Sequence, residues 1–284
     1  MFKKIFFVTA LLLASLLSAK PVVIASIAPV GYLAKAVGGD KIEVQSLAKG
    51  DVHSYEPKPN DMKAVAKASL FIAAGLEFEE AWIPRFKASA KNLVVVQSDA
   101  KIAKLKEERG EQAEHDEKHE AHADPHVWLN PMLAITMARN ISDALIAMDK
   151  ANKDFYLKNF QKLMNDLLAF DESAKNELAG LKNRKFVVYH PAWGYFAAHY
   201  DLEQISIERS GKEPKIDEMA STLKMIKDEN IKVIFADPNR SQKSAQILAS
   251  QTGAKVELLD PLGYNLLENL KIAVRAIKDA NSPK

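Results

Sequence analysis

Seven histidines and no cysteine set the chemistry open to this 284-residue chain. Without thiols there can be no cysteine nucleophile, thiolate zinc site, iron–sulfur cluster or lipid-modified cysteine. Four of the seven, His115, His119, His122 and His126, fall within twelve positions. Imidazole suits zinc, copper, nickel and iron, and a His-rich tract is a composition fitted to metal capture. The spacing is not that of a zinc protease. His115 is followed by Asp116 where HExxH needs Glu, and His119-Glu120-Ala121-His122 is one residue short. For His115, His119 and His122 a solvated polar loop is the plainer alternative. The surrounding segment, 101–124, is rich in Glu, Lys and His and nearly free of large apolar residues after Leu105. It cannot bury enough surface to fold alone and reads as a mobile loop.

His126 sits in stiffer sequence, Asp124-Pro125-His126-Val127-Trp128-Leu129-Asn130-Pro131. Pro131 suits the first turn of a helix with Asn130 as its cap, so His126 is held just before a helix start. His190 follows the apolar run Phe186-Val187-Val188-Tyr189, and His53 lies in the loop after the alternating segment Ile42–Leu47. Asp260 closes Val256-Glu257-Leu258-Leu259, and Asp237 closes Val233–Ala236 in the same way. In open α/β sheets ligands bind at the carboxyl ends of strands, where all of these fall. His53, His126, His190 and Asp260 together have the nitrogen–oxygen composition of a four-coordinate Zn2+ site. A strand-end aspartate also commonly caps a helix, which is the competing role for Asp237 and Asp260. His199, inside a helical stretch, reads as structural.

The elements that must position these residues alternate. Strands are predicted at Val22–Ala25, Ile42–Leu47, Leu70–Ala73 and Leu93–Val96, with helices ending at Gly38-Gly39 and covering Asp61–Ala68 and Phe78–Ala90. The rhythm returns with strands at Lys185–Tyr189, Gln204–Ile207, Val233–Ala236 and Val256–Leu259. Helices Trp193–Tyr200, Ile216–Asp228, Ser241–Gln251 and Leu266–Asp279 fall among and after them. The fold class is therefore α/β, two lobes each with a mostly parallel sheet flanked by helices. Between them Pro131–Met148 is helical, and Lys153–Leu178 contains neither Gly nor Pro and carries Phe160, Leu163, Met164, Leu167 and Leu168 at helical spacing. That stretch reads as one long rigid helix joining the lobes. The expected division is 20–149 for the first lobe, 150–180 for the connecting helix and 181–284 for the second lobe. A single larger domain with one long surface helix is the alternative.

Residues 1–19 read as a secretory signal peptide: Lys3 and Lys4, an apolar run from Ile5 to Leu17, then small residues at Ser18-Ala19. The run is short for a membrane span of ~20 residues. Its removal would leave basic and acidic residues in balance. The formal net charge of +2 on the full chain already argues against a nucleic-acid partner. The expectation is an exported, periplasmic protein, monomeric and not lipid-anchored.

The stretches GDVHSYEPKPND (Gly50–Asp61), ADPHVWLNP (Ala123–Pro131), VVYHPAWGYFAAHY (Val187–Tyr200) and LDPLG (Leu259–Gly263) resemble the zinc-binding ZnuA-type solute-binding proteins of bacterial ABC transporters. The resemblance spans nearly the whole chain after the signal. It implies a metal in the cleft between two lobes, with His53 and His126 from the first lobe and His190 from the second. Asp260 matches the carboxylate position used in part of the family, with water as the alternative fourth ligand. Some relatives place a Glu immediately before the first histidine; here Val52 cannot serve. Manganese-specific relatives carry Glu where this chain has His190, so the imidazole favours zinc. The implied function is capture of Zn2+ and its delivery to a membrane permease with its ATPase, without catalysis. His115, His119 and His122 would hold a second, weaker metal. Competing readings are a manganese, iron or nickel carrier of the same class, a periplasmic zinc hydrolase with Glu56 as base, and an adhesin or passive metal buffer.

Overall fold

A computed structural model describes residues 20–106, 123–208 and 216–281, with the side chains of Ile216 and Asp217 excepted. The first block contains β1 (Val22–Ile27), α1 (Ala28–Gly38), β2 (Glu43–Ala48), α2 (Pro59–Val65), β3 (Leu70–Ala73), α3 (Glu77–Ser89) and β4 (Val94–Gln97). Two helices follow, α4 (Pro131–Met148) and α5 (Lys153–Leu178). The second block contains β5 (Lys185–Val188), α6 (Gly194–His199), β6 (Glu203–Ser206), α7 (Ile216–Asp228), β7 (Val233–Ala236), α8 (Lys243–Thr252), β8 (Lys255–Leu258) and α9 (Leu266–Asn281). Each block forms one four-stranded parallel sheet, in the orders β2-β1-β3-β4 and β6-β5-β7-β8. The second sheet thus repeats the topology of the first. In both, the chain leaves the first strand to one side and returns to the other, which opens a crevice at the carboxyl ends of the inner strands.

Local sequence explains the element ends. The β-branched run of β1 is almost wholly buried, as a strand covered on both faces must be. Asn130 caps α4, its Oδ1 accepting the N–H groups of Met132 and Leu133 at 2.9 and 3.3 Å. Gly39 ends α1 at φ +56°, and a Cβ there would stand 2.8 Å from the Phe155 ring of α5. Both the backbone sign and the close approach require glycine. α2 begins at Pro59, two residues before the Asp61 start predicted from the sequence. Asp61 instead sits in its first turn, accepting the Lys58 N–H at 2.8 Å.

The 26 residues of α5 span about 39 Å at ~1.5 Å per residue. Tyr156, Phe160, Leu163, Leu167, Phe170, Ala174 and Leu178 form its buried seam, while Leu168 is exposed. That seam packs on α1 and α4 and, further along, on α9. A single apolar core runs from β1 and β3 through Trp128, α4 and α5 to Phe186, Phe235 and α9. The long helix is therefore a shared spine rather than a free strut. His199 has the structural role expected of it: its Nε2 lies 2.6 Å from Oδ1 of Asp171, which is buried in the α5 seam.

The two ends of segment 101–124 are anchored, while residues 107–122, on which the mobile-loop expectation falls, lie outside the described residues. Lys106 and Ala123 form an antiparallel bridge, and Asp124 N–H donates to the Leu105 carbonyl at 2.9 Å. Tyr195 of the second block accepts the Leu105 N–H at 2.8 Å and donates to the Asp124 carbonyl at 2.7 Å. Lys104 pairs with Asp99 at 2.7 Å over Gly75, where any side chain would collide with both. The composition of the segment hid most of these anchors, which are made by backbone and by a distant tyrosine, the Lys104–Asp99 pair apart.

Candidate metal centre

Two of the candidate histidines share a local device. In Asp51-Val52-His53 the Asp51 carboxylate accepts the His53 N–H at 3.1 Å. In Asp124-Pro125-His126 the Asp124 carboxylate accepts the His126 N–H at 2.9 Å and also meets its Nδ1 at 2.8 Å. The third, His190, leaves the end of β5 and sets its Nδ1 2.9 Å from Glu208 Oε2. A carboxylate on Nδ1 fixes the proton there and leaves Nε2 as the lone-pair nitrogen, the arrangement that orients metal-binding imidazoles.

The three rings converge from separate loops. Their centroids lie 5.5 Å apart for His53 and His126, 5.1 Å for His53 and His190, and 5.3 Å for His126 and His190. One ligand nitrogen from each falls within 4.8 Å of the others. Among the described residues, His53 Nε2 is buried with no hydrogen-bond partner. A buried polar nitrogen without a partner is costly unless a water or a cation occupies the space before it. The space among the rings is about 10 Å3, lined also by Asp51, Asp237 and Arg240. It is on the scale of one water or one ion.

Asp260, expected as a fourth ligand, lies outside this cluster. Its Oδ1 accepts the Leu262 N–H at 2.8 Å and the Asn239 amide at 2.9 Å, so it caps the turn at the end of β8. The carboxylates of Asp51 and Asp237 are the ones that share the small cavity with the imidazoles. His115, His119 and His122 lie outside the described residues. Val52 is buried, consistent with packing rather than ligation.

Sequence reasoning passed over four charged residues around the rings: Asp51, Asp124, Glu208 and Arg240. The repeated Asp-x-His spacing at 51–53 and 124–126 was the available signal for the first two. Nothing local marks Glu208 or Arg240, which reach the site only through the fold. Arg240 is 13% exposed, and its Nη1 donates to both Glu208 oxygens at 2.8 and 2.9 Å while Nη2 donates to Asp51 Oδ1 at 2.7 Å.

Burial, joined by repulsion from the other two imidazoles and from Arg240, lowers the His53 pKa to about 3. Burial, with His126 and Arg240, likewise holds His190 well below the usual imidazole range. Both rings are therefore neutral at pH 7. Burial raises Glu208 against the pull of Arg240, whereas at Asp51 burial is outweighed and Arg240 lowers the pKa. Because the folded value of His53 lies below its unfolded one, the stability it contributes is present above ~6.5 and is lost as pH falls toward about 3. Three imidazoles of ordinary pKa would release about two protons to zinc at pH 6. Here His53 and His190 have none to release, so at most about one proton is expected. Calorimetry at pH 6 in two buffers of different ionisation enthalpy measures that number directly.

Residues 23–280 match the family described as zinc-uptake complex component A, periplasmic (ZnuA). The high-affinity zinc uptake system protein ZnuA of Bacillus subtilis is 31% identical over 279 residues, covering 91% of this chain and 86% of its own length. A crystal structure of ZnuA superposes with a TM-score of 0.86 at 34% identity, covering 93% of this chain and all of that one. A zinc-bound deletion mutant of ZnuA superposes equally well, with a TM-score of 0.86 and 34% identity over 93% of this chain and 99% of that one. Matched over almost its whole described length, and with three histidines gathered from loops of both blocks, the chain belongs to the ZnuA family.

Proposed function

We propose that this chain is the exported zinc-binding component of an ABC-type zinc uptake system, with His53, His126 and His190 as the ligands of the transported ion. The observation that carries the assignment is the buried, unpartnered Nε2 of His53 facing two other imidazoles. Three neutral nitrogens suit zinc better than manganese, which prefers oxygen. The fourth position then falls to water or to Asp260, whose carboxylate would have to leave the Leu262 N–H and the Asn239 amide. The family is one of solute-binding proteins rather than enzymes, working with a permease and an ATPase. Residues 1–19 act as a cleaved signal, and the released protein works in the periplasm. Among the described residues no helix is long and apolar enough to cross a membrane. His115, His119 and His122 supply a second, weaker site, because loop ligands must be ordered before they can bind.

The test is titration of the chain beginning at Lys20 with zinc and with manganese. One tight zinc equivalent, with manganese bound more weakly, is the expected result. Deletion of residues 114–122 should remove weak zinc equivalents and spare the tight one. Tighter binding of manganese, iron or nickel than of zinc would turn the assignment to the alternative carriers.

A further inference from the structure

We propose that Arg240 sets the metal preference of the site by holding Asp51 and Glu208 away from the ion. The inference rests on the zinc-site reading above and assigns a positioning role to a residue that is not itself a ligand.

Asp51 shares the small cavity with the three imidazoles, and Glu208 touches one of them. Asp51 lines the cavity itself and is the nearer oxygen donor, while Glu208 stands on the Nδ1 side of His190, behind that ring. Their oxygens are already engaged. Glu208 Oε1 and Oε2 both accept from Arg240 Nη1, and Oε2 also meets His190 Nδ1. Asp51 Oδ1 accepts from Arg240 Nη2 and from the His53 N–H, while Oδ2 takes the Ser54 hydroxyl at 2.9 Å. One guanidinium fork therefore ties a carboxylate of the first block to a carboxylate of the second, directly behind two ligands. Arginine stays protonated at every physiological pH, and its planar fork can satisfy two partners at once where an ammonium offers a single point charge.

Two effects of Arg240 on metal binding can be separated. Its positive charge repels any divalent cation, which weakens zinc and manganese alike. Its grip on the carboxylates is selective. Withholding oxygen ligands leaves a three-nitrogen site that suits zinc, whereas releasing them builds the mixed oxygen–nitrogen sphere that suits manganese. The readout is therefore the ratio of zinc to manganese affinity rather than either affinity alone. Neighbours that orient ligands typically alter metal affinity by about 10- to 100-fold.

The experiment compares Arg240→Ala, Arg240→Lys and the unaltered protein, each titrated with zinc and manganese against a chromophoric chelator. The zinc-to-manganese ratio should fall by about tenfold or more in Arg240→Ala. It should fall also in Arg240→Lys, which keeps the charge and loses the fork. Adding Asp51→Asn and Glu208→Gln to Arg240→Ala should bring the ratio back up. In the cobalt-loaded proteins, the intense visible bands of a four-coordinate centre should weaken in Arg240→Ala as oxygen ligands join. A ratio that moves less than about twofold in Arg240→Lys, with an unchanged cobalt spectrum, overturns the proposal. Thermal melts of the metal-free proteins identify a variant that does not fold, and Arg240→Lys, which retains the cation between the two carboxylates, then carries the test alone. Failure of the zinc-site reading would show differently, as an unaltered protein whose tight binding survives loss of the histidines.

Discussion

His126→Ala should weaken zinc binding by about 100- to 1,000-fold. Structural zinc sites contribute on the order of 10–16 kcal/mol, so one of four ligands is worth roughly 2.5–4 kcal/mol. In the proposed site His126 is the most buried of the three histidines. It is 4% exposed, its Nδ1 is committed to Asp124, and its ring lies 5.2 Å from that of Trp128. Water could enter the vacated position, but water is a poorer donor than imidazole for zinc. Asp124→Asn should have a smaller effect, about 10- to 100-fold, because the ring stays and only its orientation and basicity change. Competition with a chromophoric zinc chelator measures both, and a melt of the metal-free proteins shows whether either substitution acts through folding instead. Tight binding that persists in His126→Ala and disappears on deleting residues 114–122 would place the principal site in the His-rich segment.

How much of this arrangement could be read from residues alone depended on how local the signal was. Asn130-Pro131 before an apolar periodic run marked the start of α4, and Gly180 marked the end of α5, whose interior has neither Gly nor Pro. The eight strands were legible as short apolar runs, such as β1, β3 and β7, or as short alternating segments, such as β2 and β8. The three histidines were legible because each follows a strand or precedes a helix on the edge where parallel sheets bind ligands. Asp260, expected beside them as fourth ligand or replaced by water, stands apart in the structure for a reason equally local. Two residues before Leu262, its carboxylate finds a backbone N–H at once, and the turn claims it. Glu208 and Arg240 were invisible for the opposite reason. Their roles exist only when the ends of separate strands are brought beside a loop 189 residues away from Arg240 in sequence, which no local pattern encodes. Periodicity likewise showed that α5 had an apolar stripe without showing that both halves of the molecule share it.

Trp128→Ala should destabilise the metal-free protein by about 3–5 kcal/mol, the usual range for truncating a large buried aromatic residue. The side chain is fully buried in the core that runs through both halves of the molecule. Its Nε1 donates to the Pro261 carbonyl at 2.8 Å, a bond between residues 133 apart that joins the His126 turn to the turn after β8. Pro261 itself lines the small cavity between the imidazoles. Truncation therefore opens a cavity, strands a carbonyl and loosens two walls of the site together. Against a total stability of about 5–15 kcal/mol, that loss leaves a marginal fold. Trp128→Phe separates the contributions, since it retains most of the packing and loses the hydrogen bond, for about 1–2 kcal/mol. Denaturant melts in a chelator give these values. Repeating them with zinc at about a thousand times its dissociation constant should restore about 4 kcal/mol to any variant whose site still assembles. Restoration in Trp128→Phe but not in Trp128→Ala would mean that the indole's bulk, rather than its hydrogen bond, holds His126 in register with His190. Full restoration in both would mean that the ion alone can draw the two halves of the site together.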